Sequence, residues 1–332
     1  MRFGVIGVGN IGPTNVKALM AVPGAQIVAV ANRTRANSQR LCSNLGLSCP
    51  IYEDWHEMLT AEKPDAVLIQ LYNDMHHDCF LECAGRGIHI LVEKPLANTY
   101  AHCQEMIQAV RENGIRACVM HTQRYGSALQ TAKAYITQHR EELGDLLCVN
   151  DQNGSHYFYD TRPSWHLDPV RSGGGIVLNY GVHQLDRVHW LMEQKTVRFH
   201  AQYLTRKPGV ETFSSYVMMG VGDRGTPYTI NCNGYTGPWV NEVFLTFANG
   251  IVHCRVMDST SMEKGVYVGN TQTGTLQKIP LICTDGEANH EMYRREMQAA
   301  YDYLSGLTET PPVSLEWAAE MVRLCELGFA ET

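Results

Sequence analysis

The sequence predicts an α/β chain in two parts: a doubly wound parallel sheet, then an α+β domain on an open, mostly antiparallel sheet. Three observations predict it. Short runs of Val, Ile and Leu alternate with helical patterns up to residue 121. A glycine-rich turn, GVGNIG at 7–12, stands between the first such run and the first helical stretch. Beyond 122 the pattern changes to several strands separated by turn residues, with helices on either side.

The strands expected in the first part are Phe3–Ile6, Ile27–Ala31, Ala66–Ile69, Ile88–Val92 and Ala117–Met120. They are apolar with little polar alternation, as strands buried on both faces are. Helical patterns at Thr14–Val22, Ala36–Leu45, His76–Arg86 and Tyr100–Asn113 lie between them, and such alternation implies a parallel sheet with right-handed crossovers. In the second part a helix over Ser127–His139 precedes a strand over Leu146–Tyr157. From Val197 to Lys278 come strands punctuated by DRG at 223–225, ANG at 248–250 and QTG at 272–274. Helices resume at His290–Leu304 and Ser314–Gly328. There is no internal repeat or low-complexity linker, so the change of pattern alone divides the chain into 1–121 and 122–332.

One helix carries an unusual stripe. In GGGIVLNYGVHQLD, residues 173–186, Asn179, His183 and Asp186 fall at i, i+4 and i+7 and share a face. Ile176, Val177, Leu185 and Val188 occupy the other faces of this helix, expected over 177–192, and favour burial.

Composition narrows the function classes. A chain of 332 residues with 44% hydrophobic and 18% charged residues is globular and can bury a sizeable core. A formal charge of −7 argues against a broad basic face for nucleic acid or anionic membrane. No apolar run is long enough to span a bilayer, and MRFGVIGVGNIG lacks the pattern of a secretory leader. Eleven scattered cysteines without a C-x-x-C pair read as reduced thiols of a cytoplasmic protein. Fourteen histidines form no H-E-x-x-H or other closely spaced ligand set, and no metal is expected.

GVGNIG is a full G-x-G-x-x-G, directly after a strand and opening a helix. Gly7 permits the tight turn, Gly9 lets the backbone approach a pyrophosphate, and Gly12 allows close helix–strand packing. Asn10 and Ile11 complete a loop whose helix N-terminus offers N–H groups and a positive dipole end. About 20 residues on, an acid at the end of the second strand would hold the ribose 2′-hydroxyl of NAD. This chain has Asn32, Arg33 and Thr34 there, with Arg35 and Arg40 close behind. An arginine pairs with a 2′-phosphate, so NADP is favoured over NAD. If these arginines are only a solvated helix start, NAD remains open.

EKP at 93–95, ending a strand in LVEKPLANTY, completes a set with GVGNIG and GGGIVLNYGVHQLD. Three motifs in this order resemble the glucose-fructose oxidoreductase / inositol dehydrogenase / rhizopine-catabolism family over essentially the whole chain. The resemblance implies a Rossmann domain followed by an α+β domain, and oxidation or reduction of a hydroxyl or ketone on a sugar, cyclitol or related small molecule. It implies that Lys94, after Glu93, lies beside the nicotinamide and hydrogen-bonds the reacting oxygen, and that His183 donates or accepts the proton. His76 matches the histidine of the family's cofactor loop and Asn73 its common asparagine. Leu71 and Tyr72 stand where Thr-Pro is usual, so that wall of the cofactor site is reshaped. Trp165 resembles an aromatic lining the nicotinamide and substrate. Asn179 stands where many members have aspartate; it orients a hydroxyl or the imidazole but cannot titrate.

On physical grounds the pair makes sense. A histidine titrates near neutrality and suits removal of a hydroxyl proton, while an ammonium stabilises developing charge on oxygen. Asp186 either holds backbone or fixes the imidazole tautomer. Gln123, Arg124 and Tyr125, with His156, Tyr159 and Arg162, are further candidates for binding a polyhydroxylated substrate or for packing. Two other readings stay open: a redox-neutral glycosidase or epimerase that retains its nucleotide, and a non-catalytic dinucleotide-responsive regulator. An antiparallel sheet with one face uncovered fits a homodimer or homotetramer.

Overall fold

The computed structural model describes residues 1–205, 209–235, 237–257, 263–270, 272 and 274–329. Thr273, in the middle of the expected QTG turn, lies outside the described residues, as do 330–332 at the end of the expected second domain. The chain forms two compact units: 1–122 with 286–322, and 123–285 with 323–332.

The first unit alternates β1 (Arg2–Ile6), α1 (Gly12–Met20), β2 (Gln26–Ala31), α2 (Arg35–Leu45), β3 (Ile51–Tyr52), α3 (Trp55–Glu62), β4 (Ala66–Ile69), α4 (His76–Gly85), β5 (His89–Val92), α5 (Tyr100–Asn113) and β6 (Ala117–Val119). Its sheet has the order β3-β2-β1-β4-β5-β6, and every neighbouring pair is parallel. The chain therefore winds outward from β1 in both directions, and the carboxyl ends of β1 and β4 mark the point where the winding reverses. β4 is buried at every residue, as its run of Ala-Val-Leu-Ile requires. The sequence pattern predicts no element over 46–65. The structure fills it with β3 and α3, the latter capped by Asp54, whose carboxylate accepts from the His56 N–H at 2.8 Å.

The second unit begins with α6 (Ser127–Gln138), α7 (Arg140–Leu143) and β7 (Leu146–Gly154). After a loop come α8 (Pro169–Ser172), a single π-helical turn at Val177–Gly181, and α9 (Val182–Met192). Seven strands follow: β8 (Thr196–Leu204), β9 (Ser215–Gly222), β10 (Pro227–Asn233), β11 (Val240–Phe247), β12 (Gly250–Arg255), β13 (Gly265–Asn270) and β14 (Gln277–Ile279). The sheet order is β14-β13-β12-β11-β7-β10-β9-β8, antiparallel except between β7 and β10. β10 alternates strictly between buried and exposed side chains and β9 between buried and at least partly exposed ones, so one face of the sheet packs on its helices. Val217 and Met219 stand on the other, exposed face.

The first unit's leading stretch ends at Thr122, one residue past the expected division at 121/122, and the segment 286–322 groups with that unit instead of with the second. The reason is apolar burial. Met297, Ala300 and Leu304 of α10 (His290–Leu304) join Phe3, Leu19, Val22, Leu68 and Leu91 in one core. Each large side chain so buried contributes roughly 1.5–3 kcal/mol. The same segment shields β6 at the sheet edge, where the Val119 N–H donates to the Val313 carbonyl at 3.1 Å. The last helix, α11, spans Leu315–Phe329.

Candidate active site

In the first unit the glycine turn behaves as its spacing requires. Gly7 has φ +91°, and a Cβ there would lie 2.5 Å from the Gln70 carbonyl oxygen. Only glycine fits both the angle and the approach. A Cβ on Gly9 meets nothing within 4 Å, so the loop faces open space where a ligand's phosphates can come close. The residue capping α1 is Ile11, which offers no side-chain acceptor to the first-turn N–H groups. A cavity of about 310 Å³ adjoins the loop, lined by Val8, Gly9, Asn10 and Pro13 on one side and by Asn37, Arg40 and Leu41 of α2 on the other. These features fit a dinucleotide.

The end of β2 is more committed than its sequence implied. Asn32 Oδ1 accepts from the Val8 N–H at 3.3 Å and its Nδ2 donates to the Thr34 carbonyl at 2.9 Å, so its side chain ties the glycine loop to the strand end. Arg33 and Thr34 are exposed. Arg35 is spent on the Ile51 carbonyl at 3.0 Å, whereas Arg40 reaches Asn37 Oδ1 at 3.0 Å in the cavity wall.

Beneath the loop lies a polar network that the sequence pattern does not predict. Asn15, fully buried on α1, donates to Gln70 Oε1 at 3.1 Å and to Glu93 Oε1 at 2.8 Å. Gln70 Nε2 donates to the Gly7 carbonyl at 2.8 Å, and Glu93 Oε2 accepts from the Lys94 N–H at 3.1 Å. Burial pushes the Glu93 carboxyl up, with the Lys94 charge opposing it. The glycine turn, α1 and the strand end bearing Lys94 are thus fixed to each other by amide and carboxyl side chains. A Gln directly after the buried strand AVLI was the available signal, since ligands gather at the carboxyl ends of such strands.

His76 is buried at the start of α4 and bridges two loops. Its Nδ1 lies 2.9 Å from the Pro95 carbonyl and its Nε2 3.2 Å from the Leu71 carbonyl, so the single N–H of the neutral ring donates to one of these two backbone carbonyls, whichever nitrogen carries it. Burial holds its pKa below the usual histidine value. Its visible role is to position the chain at 71 and at 94–95. Asn73 is buried beside it, Leu71 is half-buried, and Lys94 is half-buried at the end of β5.

In the second unit Gly173, Gly174 and Gly175 all have positive φ, and Cβ atoms on the latter two would strike the Phe329 ring and Thr212 at 2.7 Å. Only glycine lets the chain turn here into the helix. Asn179 follows in the π-helical turn and His183 one turn later in α9, both half-buried. Asn179 Nδ2 donates to Tyr157 Oη at 3.0 Å. Tyr157 is wholly buried, and burial raises its phenol pKa. The Arg162 guanidinium lies 3.4 Å over the Tyr157 ring, and Trp165 stacks on His166 with centroids 3.7 Å apart. Tyr159 and His156 are exposed.

Asp186 is buried and held by an ion pair within the unit. It pairs with Arg124, which donates from Nε at 3.0 Å to both oxygens and from Nη2 at 2.6 Å. Gln123 Oε1 accepts from Arg187 Nη1 at 3.2 Å. The side chains of Gln123 and Arg124 are therefore engaged inside the unit. Ile176, Val177, Leu185 and Val188 are buried as expected, and beside them Gln184 and Arg187 are buried polar residues turned to the sheet. Arg187 pairs with Asp151 of β7 and donates to Asn241, while Gln184 Nε2 donates to Asp151 at 2.5 Å and its Oε1 accepts from Tyr216. A lone aspartate inside a strand of alternating burial was the signal for this partner. Among the described residues no group of three or more His, Cys, Asp or Glu side chains is placed to hold a metal ion.

Comparison with known proteins now bears on these features. Residues 1–121 match the description "Oxidoreductase family, NAD-binding Rossmann fold", and residues 129–253 match the GFO/IDH/MocA C-terminal domain. The chain belongs to the GFO/IDH/MocA family. As a member it is an NAD(P)-dependent oxidoreductase. An inositol 2-dehydrogenase of Salmonella paratyphi B is 27% identical over 322 residues, covering 95% of this chain and 89% of that protein. Two solved structures share the fold: a levoglucosan dehydrogenase in complex with NADH and levoglucosan (TM-score 0.87, 16% identity, 100% and 98% covered) and an aldose-aldose oxidoreductase of Caulobacter crescentus with glycerol (TM-score 0.84, 16% identity, 99% and 96% covered). The GFO/IDH/MocA assignment agrees with the order of GVGNIG, EKP and GGGIVLNYGVHQLD along the chain. Among the described residues no helix is long and apolar enough to cross a membrane.

Proposed function

We propose that the protein is a dehydrogenase of a polyhydroxylated small molecule, a sugar, cyclitol or close relative, using NADP in preference to NAD. The observation that carries the reading is the glycine loop. Gly9 faces open space beside a cavity walled by Asn10 and Arg40, and Lys94 stands at the end of a strand tied to that loop through Glu93, Asn15 and Gln70. The inositol and levoglucosan dehydrogenases among the relatives support the substrate class.

Gly7, Gly9, Asn10, Ile11 and Gly12 hold the pyrophosphate, and Asn32, Arg33 and Thr34 meet the adenine ribose. Leu71, Asn73, His76, Glu93 and Trp165 shape the nicotinamide's surroundings. The bound dinucleotide supplies the hydride acceptor. His183 takes the hydroxyl proton as the carbon loses its hydride, and Lys94 stabilises negative charge on the oxygen. Asn179 orients the hydroxyl; its amide adds no second base. Between Asn32 and Asn44 the chain carries three arginines and no carboxylate, which favours a 2′-phosphate. Fluorescence titration with NADPH and NADH tests the preference. NADPH is expected to bind at least about tenfold tighter, a difference of about 1.4 kcal/mol, and Arg40→Ala is expected to narrow it. Equal affinities would overturn it.

All eleven cysteines are unbridged, which supports a reducing, cytoplasmic setting. The exposed face bearing Val217 and Met219 supports a homodimer or homotetramer through the sheet, and light scattering of the purified protein reads the mass directly.

A further inference from the structure

The second unit contains a cation that its own carboxylates leave unbalanced. The arginines and lysine packed around α9 are paired: Arg124 with Asp186, Arg187 with Asp151, Lys133 with Glu193. Arg162 differs. It follows β7 in the loop before α8, with its Cζ 3.4 Å from the centre of the Tyr157 ring and 5.2 Å from that of Tyr159. Among the described residues it makes no ion pair, and its buried Nε has no hydrogen-bond acceptor. Asp160 nearby in sequence is exposed, and Asp168 is turned to the N–H groups of Val170 and Arg171.

Arg162 is also connected to the residues that do the chemistry. Tyr157, beneath it, accepts a hydrogen bond from Asn179 at 3.0 Å, and Asn179 precedes His183 by one turn. The row Arg162, Tyr157, Asn179, His183 contains no carboxylate, so with a neutral imidazole its formal charge is that of the guanidinium. The Tyr157 ring and phenol hold the guanidinium in place without neutralising it, and its buried Nε still lacks an acceptor. A carboxylate matches the planar fork of a guanidinium bidentately. A single cation suits a monoanion better than a phosphate dianion.

We propose that Arg162 binds a carboxylate of the substrate, so that the polyol is a sugar acid of the aldonate or uronate class instead of a neutral sugar. This rests on the reading of His183 as the residue facing the reacting hydroxyl. The test compares matched pairs, D-glucitol with D-gluconate and D-glucose with D-glucuronate, on the NADP-loaded protein and on Arg162→Met and Arg162→Lys. Two readouts are taken: the rise of reduced nicotinamide, and binding of each compound by saturation-transfer NMR. The acid of at least one pair is expected to exceed its neutral partner in kcat/KM by about tenfold or more. Arg162→Met is expected to erase that ratio through KM, and Arg162→Lys to restore part of it. Binding of the acid that depends on Arg162, without turnover, would sustain the carboxylate site and sink the dehydrogenase reading. Turnover or binding that favours neutral partners, a ratio unchanged in Arg162→Met, or no acid bound at all would overturn the carboxylate site alone.

Discussion

The two units build their functional surfaces from different material. In the first, the working parts are backbone: a turn that only glycine can make at Gly7, an open approach at Gly9, and a helix start capped by Ile11 without a side-chain acceptor. Side chains such as Asn15, Gln70 and Glu93 serve to hold that backbone still. In the second unit the side chains are the surface, and they stand on a helix anchored from behind by buried charges, Arg187 with Asp151 and Arg124 with Asp186. The glycine loop is fixed by its own backbone angles, whereas the helix of Asn179 and His183 is anchored by side chains on β7 and ahead of α6.

That contrast can be broken or sharpened by substitution. The largest effect is expected at the two proposed catalytic groups. Lys94→Met and His183→Ala should each lower kcat by about 10²–10⁴, read from reduced-nicotinamide absorbance, while a bound dinucleotide is still detected with His183→Ala. Next comes the anchor behind the helix. Arg187→Met leaves Asp151 buried without its partner and should cost about 3–5 kcal/mol in urea unfolding, and adding Asp151→Leu should recover much of it. Arg162→Met, which breaks no ion pair, should change stability far less.

The glycine loop separates fold from function more finely. Gly9→Ala should leave the melting temperature nearly unchanged because its Cβ meets nothing, yet weaken dinucleotide binding by about tenfold or more. Gly7→Ala should damage both, because its φ and the Gln70 carbonyl forbid a side chain. The smallest effect concerns pH. Burial, with the Lys94 charge adding to it, holds the His76 pKa below its unfolded value. The unfolded chain therefore takes a proton that the native one refuses as pH falls below about 6.5, and stability declines in that direction. The contribution is at most about 1.4 kcal/mol per pH unit, and chemical unfolding at several pH values should show a shallower slope for His76→Phe.

Sequence legibility follows the same division. The parallel sheet was readable because its strands are continuous apolar runs, and GVGNIG was readable because backbone geometry constrains residue type directly. β3 and α3 escaped because a two-residue strand has no period, although Asp54 followed by Glu57 is a helix-start signal. The return of 286–322 to the first unit was invisible because the apolar stripe of α10 shows that it needs a partner without showing which. In the second unit the helical spacing of Asn179, His183 and Asp186 was correct, but a spacing cannot distinguish a side chain facing substrate from one paired in the interior. Asp186 pairs with Arg124, and Gln184 and Arg187, to which the apolar pattern assigned no partner, point to the sheet.

The measurement that tests the account most directly is a nucleotide inventory followed by titration. Freshly purified protein is denatured, any released nucleotide is identified by chromatography and mass spectrometry, and the nucleotide-free protein is titrated with NADPH and NADH. The account predicts little retained nucleotide, saturable binding of both with NADPH the tighter, and loss of binding in Gly9→Val. Stoichiometric retained nucleotide would replace ordinary exchange with a redox-neutral cycle. Failure of the wild-type protein to bind either dinucleotide would contradict the account at its centre.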